Sequence, residues 1–455
     1  MYVKLSATLC SMALLSGLLA SATPAEAATT PSKIKSVKAV AGPGVGQVTI
    51  SWNQDGRNTS AYKIETGLTT FSKTSSSLPD SGRNAKIFTV DDSRRSVTLS
   101  AAQMASAGAG VESGNHLYFR LSAVNGSATR AYPYLQATLP KPAAPRSSGT
   151  AIRIGSFNVR TARATSDARS WLKRAPDVAR EIRDRNPGIV AVQELGPGRA
   201  DGRAGTTNGG ARQTTSLTSA LKNVGAGRYH LVRSTPYVKA GTPHGTQGAR
   251  ILYDVNRYSL LSNCSDKTGG SSYSSSCSVE LPRLSGDSRS VQRSAAYAQF
   301  RDRSTGKRVW VASVHLDERH SSNAATERSL NALRGRQMAT VNNKIRSLNS
   351  SGAQVVIAGD INSWQNSRGG YAPHDYLVSQ GYYDTAAAQT RVNAQFSTIN
   401  HFDNTLQPGA QGYGVRLDVV MVKGARGARR FENVADRVDS SRPSDHNLVI
   451  TDLVL

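Results

Sequence analysis

Residues 355–362 read VVIAGDIN. Val355, Val356, Ile357 and Ala358 follow one another with no polar alternation, which describes a strand buried on both faces. Such a strand needs a layer above it and a layer below, either helices or a second sheet. The run then delivers Asp360 and Asn362. A carboxylate carried on a buried strand is costly unless a cation or hydrogen bonds compensate it. One short stretch thus raises both a fold and a chemistry.

The same pattern recurs along the chain. AIRIGSFNV delivers Asn158, GIVAVQEL delivers Glu194, RVWVASVHL delivers His315, RLDVVMVKG delivers Asp418, and Asp445-His446 precede NLVITDLVL. Between these strands lie helical patterns. ARSWLKRAPDVAREIRDRN spaces Trp171, Leu172, Val178 and Ile182 as one face and stops at Pro187. A longer helix carries Leu330, Leu333, Met338, Val341, Ile345 and Leu348. Strands alternating with helices predict an α/β domain over 151–455. A lone histidine or carboxylate at a strand end is usually a satisfied core-edge residue, but six strands sharing the feature point to a common site.

The residue types name a chemistry. Glu, Asp and Asn are hard oxygen ligands suited to Mg²⁺ or Mn²⁺, and two histidines with carboxylates beside them suit proton transfer near neutral pH. No G-x-S-x-G is present and no reactive cysteine is evident, so a covalent route lacks a nucleophile. Metal-assisted attack of water on a phosphate ester fits the inventory.

In the order SFNVR, VQE, SVHLD, GDIN, RLDVV and SDHNLV, these motifs resemble the endonuclease/exonuclease/phosphatase (deoxyribonuclease I-like) superfamily. The resemblance implies a four-layer α/β sandwich, two packed mixed β-sheets flanked by helices, with site loops at one edge. It also implies residue roles. Glu194 resembles the Mg²⁺-binding glutamate, with Asn158 beside it and Asp445 on the metal side. Asp360 and Asn362 resemble the pair that orients or deprotonates the attacking water. His446 resembles the essential histidine, held by Asp418, and His315 the second histidine, on the phosphate or leaving group. Arg250 and Tyr237 are softer candidates for substrate contact. The chain departs from pancreatic-type deoxyribonucleases in lacking, between Leu195 and Asp254, a glutamate in the context that orients the second histidine.

Before residue 151 the chain reads differently. Short strand-like runs (QVTISW, AYKIET, KIFTV, SVTLS, HLYFRLSAVNG) separated by turn signals predict an all-β sandwich. The order of Trp52, Tyr62, Leu99 and Tyr118 resembles a fibronectin type III domain over 34–140, with 141–150 as a proline-rich linker. Residues 1–27, with an apolar run and Ala25-x-Ala27, read as a secretory signal peptide, so a secreted, extracellular protein is expected, with no transmembrane segment. Cys264 and Cys277 flank a Gly/Ser-rich loop and should form one disulfide, worth about 3 kcal/mol in the chain-entropy model.

The net charge is +25 over 455 residues, shared between both parts, which favours a polyanionic partner without locating a site. The basic stretch GRADGRAGTTNGGARQ after Glu194 reads as an exposed loop near the site. The expectation is a monomeric, secreted, Mg²⁺-dependent phosphodiesterase hydrolysing DNA and also RNA. Its fibronectin-like part would bind a cell-surface or matrix polymer. The alternatives are a sphingomyelinase-like or inositol-phosphate-type hydrolase, or a non-catalytic surface-binding protein. Aromatic residues at 6% leave little for the exposed hairpin that a lipid hydrolase would need.

Overall fold

The computed structural model describes residues 28–454 except 55–57, 68–85, 111–115, 134–135, 144–148, 150, 164–168, 197, 204–209, 233–247, 265–276, 289–291, 366, 368–369, 407–413, 426 and 437–440. The signal-peptide reading (1–27) and Tyr237 therefore lie outside the described residues.

The apolar runs assemble into two seven-stranded mixed sheets. The first has the order Tyr229–Leu231, Arg250–Asp254, Ile189–Gln193, Ala151–Asn158, Leu448–Val454, Ala428–Val434 and Thr390–Val392. The second has the order Tyr258–Leu260, Ser294–Asp302, Arg308–His315, Gln354–Asp360, Asp418–Lys423 and Tyr383–Asp384, with Ser278–Glu280 beside Ser294–Asp302. Ile154, Ile189 and Val449 of the first sheet share one core with Val311, Val356 and Val420 of the second. The sheets therefore pack face to face.

The opposite faces are covered by helices. Val190 and Val192 turn away from the inter-sheet core and meet Val178, Ile182 and Leu217 of helices Trp171–Arg185 and Gln213–Asn223. Ile357 and Met421 meet Met338, Val341, Ile345 and Leu377 of helices Ala324–Leu348 and Ala372–Ser379. Burial on both faces is why these strands read as continuous apolar runs. Each fully buried Val, Ile or Leu side chain contributes about 1.5–3 kcal/mol.

Two helical positions differ from the sequence reading. Leu172 and Leu348 are exposed. Trp171, Val178 and Ile182 share a face at 100° per residue, which turns Leu172 off it, and Leu348 is the final residue of its helix. The Trp171–Arg185 helix ends on Asn186 in a left-handed conformation (φ 48°), just before Pro187. Cys264 and Cys277 form the expected disulfide, with Cα atoms 5.3 Å apart. No helix among the described residues is long and apolar enough to cross a membrane.

Among its described residues, the N-terminal region is all-β apart from a six-residue helix, Ala101–Ser106, capped by Ser100. Its strands form a three-stranded and a five-stranded sheet, and Val48, Ile50, Trp52, Tyr62, Ile64 and Leu99 fill the core between them. Trp52 and Tyr62 pack edge to face at 4.8 Å. Leu139, beyond the last of these strands, is buried in the core between the two large sheets. Arg391 donates to the neighbouring Pro140 carbonyl at 3.0 Å.

Candidate active site

Strand alternation decides where the polar ends point. Asp360 shares a face with Val356 and Ala358, Asp418 with Val420 and Val422, His315 with Val309 and Val311, and Asn158 with Ile152 and Ile154. All of those apolar residues lie in the inter-sheet core. The four polar residues therefore carry that core out to its rim, where both sheets contribute. Register lines three of them up, because His315 pairs with Asp360 and Asp360 with Asp418 on adjacent strands.

Asn158 joins the two sheets. Its Nδ2 donates to Asp360 Oδ2 at 3.0 Å and to Glu194 Oε1 at 3.2 Å. Glu194 breaks the alternation. Its left-handed backbone (φ 56°) ends the strand and brings its other carboxylate oxygen to the Thr161 amide at 2.9 Å. A non-glycine residue held there costs on the order of 1–3 kcal/mol, strain that concentrates at functional sites. Asn362 is also left-handed (φ 47°). Its amide N–H caps Asp360 Oδ1 at 2.9 Å, and its Nδ2 donates to the Leu316 carbonyl at 3.0 Å.

His446 arrives from the first sheet, two residues before its last strand, and meets Asp418 of the second at 2.8 Å through Nδ1. Its Nε2 stands 3.8 Å from Asp360 Oδ2, and His315 Nε2 stands 3.6 Å from the same oxygen. Burial opposes charge on His446, but the Asp418 carboxylate, supported by Asp360 and Asp445, outweighs it and raises the pKa to about 10. Burial raises Asp360 to about 7, with the Asp418 charge adding and His446 opposing. Burial, then the Arg293 and His446 charges, hold His315 well below the ordinary histidine value, so its ring is neutral at pH 7. Its buried Nδ1 has no partner among the described residues, in keeping with the missing glutamate.

The metal side is held differently. Asp445 accepts from Arg160 Nη1 at 2.9 Å and from Ser444 Oγ at 3.2 Å. Glu194 is buried and makes no ion pair among the described residues, accepting only from two neutral donors. Such a carboxylate is what a hard divalent cation compensates, so Glu194 suits a hard oxygen-seeking metal. Among the described residues, Asp360, Asp418 and His446 bring ligand-type atoms within 4.8 Å of one another. There Asp418 and His446 are already joined, and a cation would meet an imidazolium. That cluster suits proton transfer better.

Helices clamp the loops that carry these groups. Arg174 is fully buried and donates only to carbonyls: Arg169 (2.8 Å), Val159 and Pro443 (both 2.8 Å), Thr161 (3.1 Å) and Arg160 (3.3 Å). It thereby ties the segment after Asn158 to the segment before Asp445. On the other sheet Arg334 donates to the Arg319 carbonyl and to Glu327, both at 2.8 Å, and Gln337 accepts the Asp317 N–H at 2.9 Å. Arg250 is buried, and its Nε donates at 2.7 Å to the Leu195 carbonyl, just after Glu194.

Arg293 was not singled out by the sequence reading. Its side chain is 10% exposed, it pairs with Glu318, and its buried Nη1 has no partner among the described residues. Glu194, Asp317 and Asp360 all lie within electrostatic reach of it. The signal is the same one read elsewhere, a polar residue at the end of an apolar run. Here it stands at the start of Ser294–Asp302, which runs antiparallel to the strand ending in His315.

The sequence profile of the endonuclease/exonuclease/phosphatase family matches residues 155–446. No curated protein sequence matches the chain. Among solved structures, an endonuclease/exonuclease/phosphatase family protein from Bacteroides thetaiotaomicron aligns at 18% identity over 68% of this chain and 98% of its own, with a TM-score of 0.49. A mannosyl-6-phosphatase from the same species aligns at 17% identity over 67% and 100%, with a TM-score of 0.48. The human Nocturnin catalytic domain aligns at 14% identity over 67% and 94%, with a TM-score of 0.43. With its profile match running from Gly155, three residues before Asn158, through to His446, the chain belongs to the endonuclease/exonuclease/phosphatase family.

Proposed function

We propose that this chain is a secreted, Mg²⁺-dependent phosphodiesterase that hydrolyses nucleic acid, DNA foremost and also RNA, with Mn²⁺ able to replace Mg²⁺. The observation that carries hydrolysis is the pair Asp360 and His446, 3.8 Å apart, one poised near pH 7 and the other kept protonated. Groups whose environments push their pKa values apart are suited to act as base and charged donor. Asp360 takes the proton of the attacking water, and Asn362, its amide nitrogen engaged with Leu316, offers its Oδ1 to that water. The His446 imidazolium, oriented by Asp418, gives its proton to the leaving oxygen as the P–O bond breaks, and the proton taken by Asp360 restores it. His315, neutral, donates a hydrogen bond and not a proton. Glu194, Asn158 and Asp445 would hold the metal, which when bound supplies Lewis-acid polarisation of the phosphoryl group.

The charge of +25 favours a nucleic-acid substrate over a neutral lipid surface. In this reading 34–140 is a fibronectin type III-like domain that anchors the enzyme to a surface or matrix polymer, and 151–455 is the catalytic domain. The test gives the purified protein plasmid DNA, RNA, sphingomyelin micelles and inositol phosphates in parallel, with Mg²⁺ and with EDTA. Turnover of a lipid or inositol phosphate with intact DNA and RNA would replace the nuclease reading.

A further inference from the structure

The chain has four tryptophans, and Trp52, Trp171 and Trp310 are buried. Trp364 is half-buried, two residues beyond Asn362. Both of its neighbours are anchored inward. Ser363 is fully buried and donates to Asn331 Oδ1 at 3.0 Å. Gln365 is buried, donates to the Gly414 carbonyl at 2.6 Å and accepts from the Arg416 N–H at 3.3 Å. While both flanking side chains are buried, Trp364 leaves part of its indole open to solvent.

One side of that indole is braced. His320, five residues beyond His315, packs against it with ring centroids 5.1 Å apart and planes tilted by 59°. His320 is itself fixed through Nδ1 to Glu327 at 3.1 Å, and Glu327 is held by Arg334 at 2.8 Å and by the Ser321 N–H at 2.7 Å. A large aromatic side chain is thus held on one side and partly open to solvent, with Trp364 and His320 on the segments that follow the strands ending in Asp360 and His315. Two residues of chain span at most about 7 Å, which keeps the Trp364 backbone within that distance of the Asn362 backbone.

We infer that Trp364, braced by His320, is a stacking platform for the base flanking the scissile phosphate, and that it selects substrates with a planar ring there. The inference rests on the nuclease reading above and deepens it. Stacking on a fixed aromatic side chain tolerates any base, so the selection is for nucleotides as a class and not for sequence.

The test uses the full-length protein and Trp364→Ala, with Trp364→Phe as the conservative variant. On a short single-stranded oligonucleotide, Trp364→Ala should raise KM about tenfold or more with kcat little changed, and Trp364→Phe should recover most of the loss. On a glycerol phosphodiester, which has no ring, KM should not move. In EDTA, where no turnover occurs, oligothymidylate should quench wild-type tryptophan fluorescence while glycerol phosphate does not, and Trp364→Phe should abolish the quench. Oligonucleotide hydrolysis with KM within twofold in Trp364→Ala, and no quench, overturns the platform and leaves the nuclease reading standing. An oligonucleotide that is neither bound nor cleaved, beside turnover of a ringless ester, overturns both.

Discussion

The two sheets place their polar ends by different means. On the second sheet, His315, Asp360 and Asp418 sit in unbroken register on regular strands, and alternation alone aims them at the rim. On the first sheet Asn158 ends a regular strand, but the groups around it lie just beyond regular structure. Glu194 has a left-handed backbone, Arg160 likewise, and Asp445 sits in a loop whose carbonyl receives the Asn400 and His401 amides. These groups depend on Arg174, which gathers five carbonyls from the loops around them. The second-sheet groups are held by ladder geometry, and the loop groups of the first sheet by a buried arginine that gathers bent backbone. The first arrangement resists local perturbation; the second hinges on one side chain.

The largest effect should come from emptying the metal side altogether. EDTA should abolish hydrolysis and Mg²⁺ or Mn²⁺ restore it, and full turnover in chelator would end the assignment of Glu194, Asn158 and Asp445. Next comes the pair that joins the two sheets, His446 from the first and Asp418 from the second. His446→Ala should lower kcat by about 10²–10⁴-fold at near-normal melting temperature, with Asp418→Asn costing as much or less. The double variant should be little worse than His446→Ala, because the two act as a unit. A well-folded His446→Ala enzyme within tenfold of wild type, the margin taken from below that range, would leave the histidine a packing residue.

Arg174 sharpens the contrast at smaller amplitude. Arg174→Lys cannot make five carbonyl bonds, so metal affinity, measured directly by Mn²⁺ binding, should weaken about 10- to 100-fold, as when partners of metal ligands are removed. Saturating metal should recover kcat in the folded protein. Arg334→Lys, on the other sheet, should leave Mn²⁺ affinity unchanged; an equal loss in both variants would erase the difference between the two sides.

The smallest effect is on stability. In chelated protein, the folded-state pKa of His446 is raised to about 10 above its ordinary value near 6.5. Its contribution is fully present below the ordinary value and is lost as pH rises through about 10. The melting temperature of wild type should therefore converge on that of His446→Gln between pH 7 and 10. Parallel curves would deny the Asp418–His446 ion pair.

Much of the site is legible in the chain because burial and alternation are local properties. An apolar run that ends in Asn158, His315 or Asp360 announces itself within eight residues. Arg293 escaped because its polar residue comes before the strand, and only antiparallel pairing brings a strand's start beside its neighbour's end. Leu172 was misplaced because its apolar side chain was counted with a face from which its phase, 100° from Trp171, turns it away.

By itself the sequence determined the α/β alternation of 151–455, the all-β character of what precedes it, the disulfide partners and the polar strand ends, since each follows from short-range periodicity or spacing. Tertiary structure alone decided which of those ends meet. Asn158 reaches Asp360 across 202 residues of chain, and Arg160 reaches Asp445 across 285. Such contacts are set by how two sheets stack and how loops bend at their rim. The energy that fixes them comes from the core between the sheets, and no local pattern encodes it.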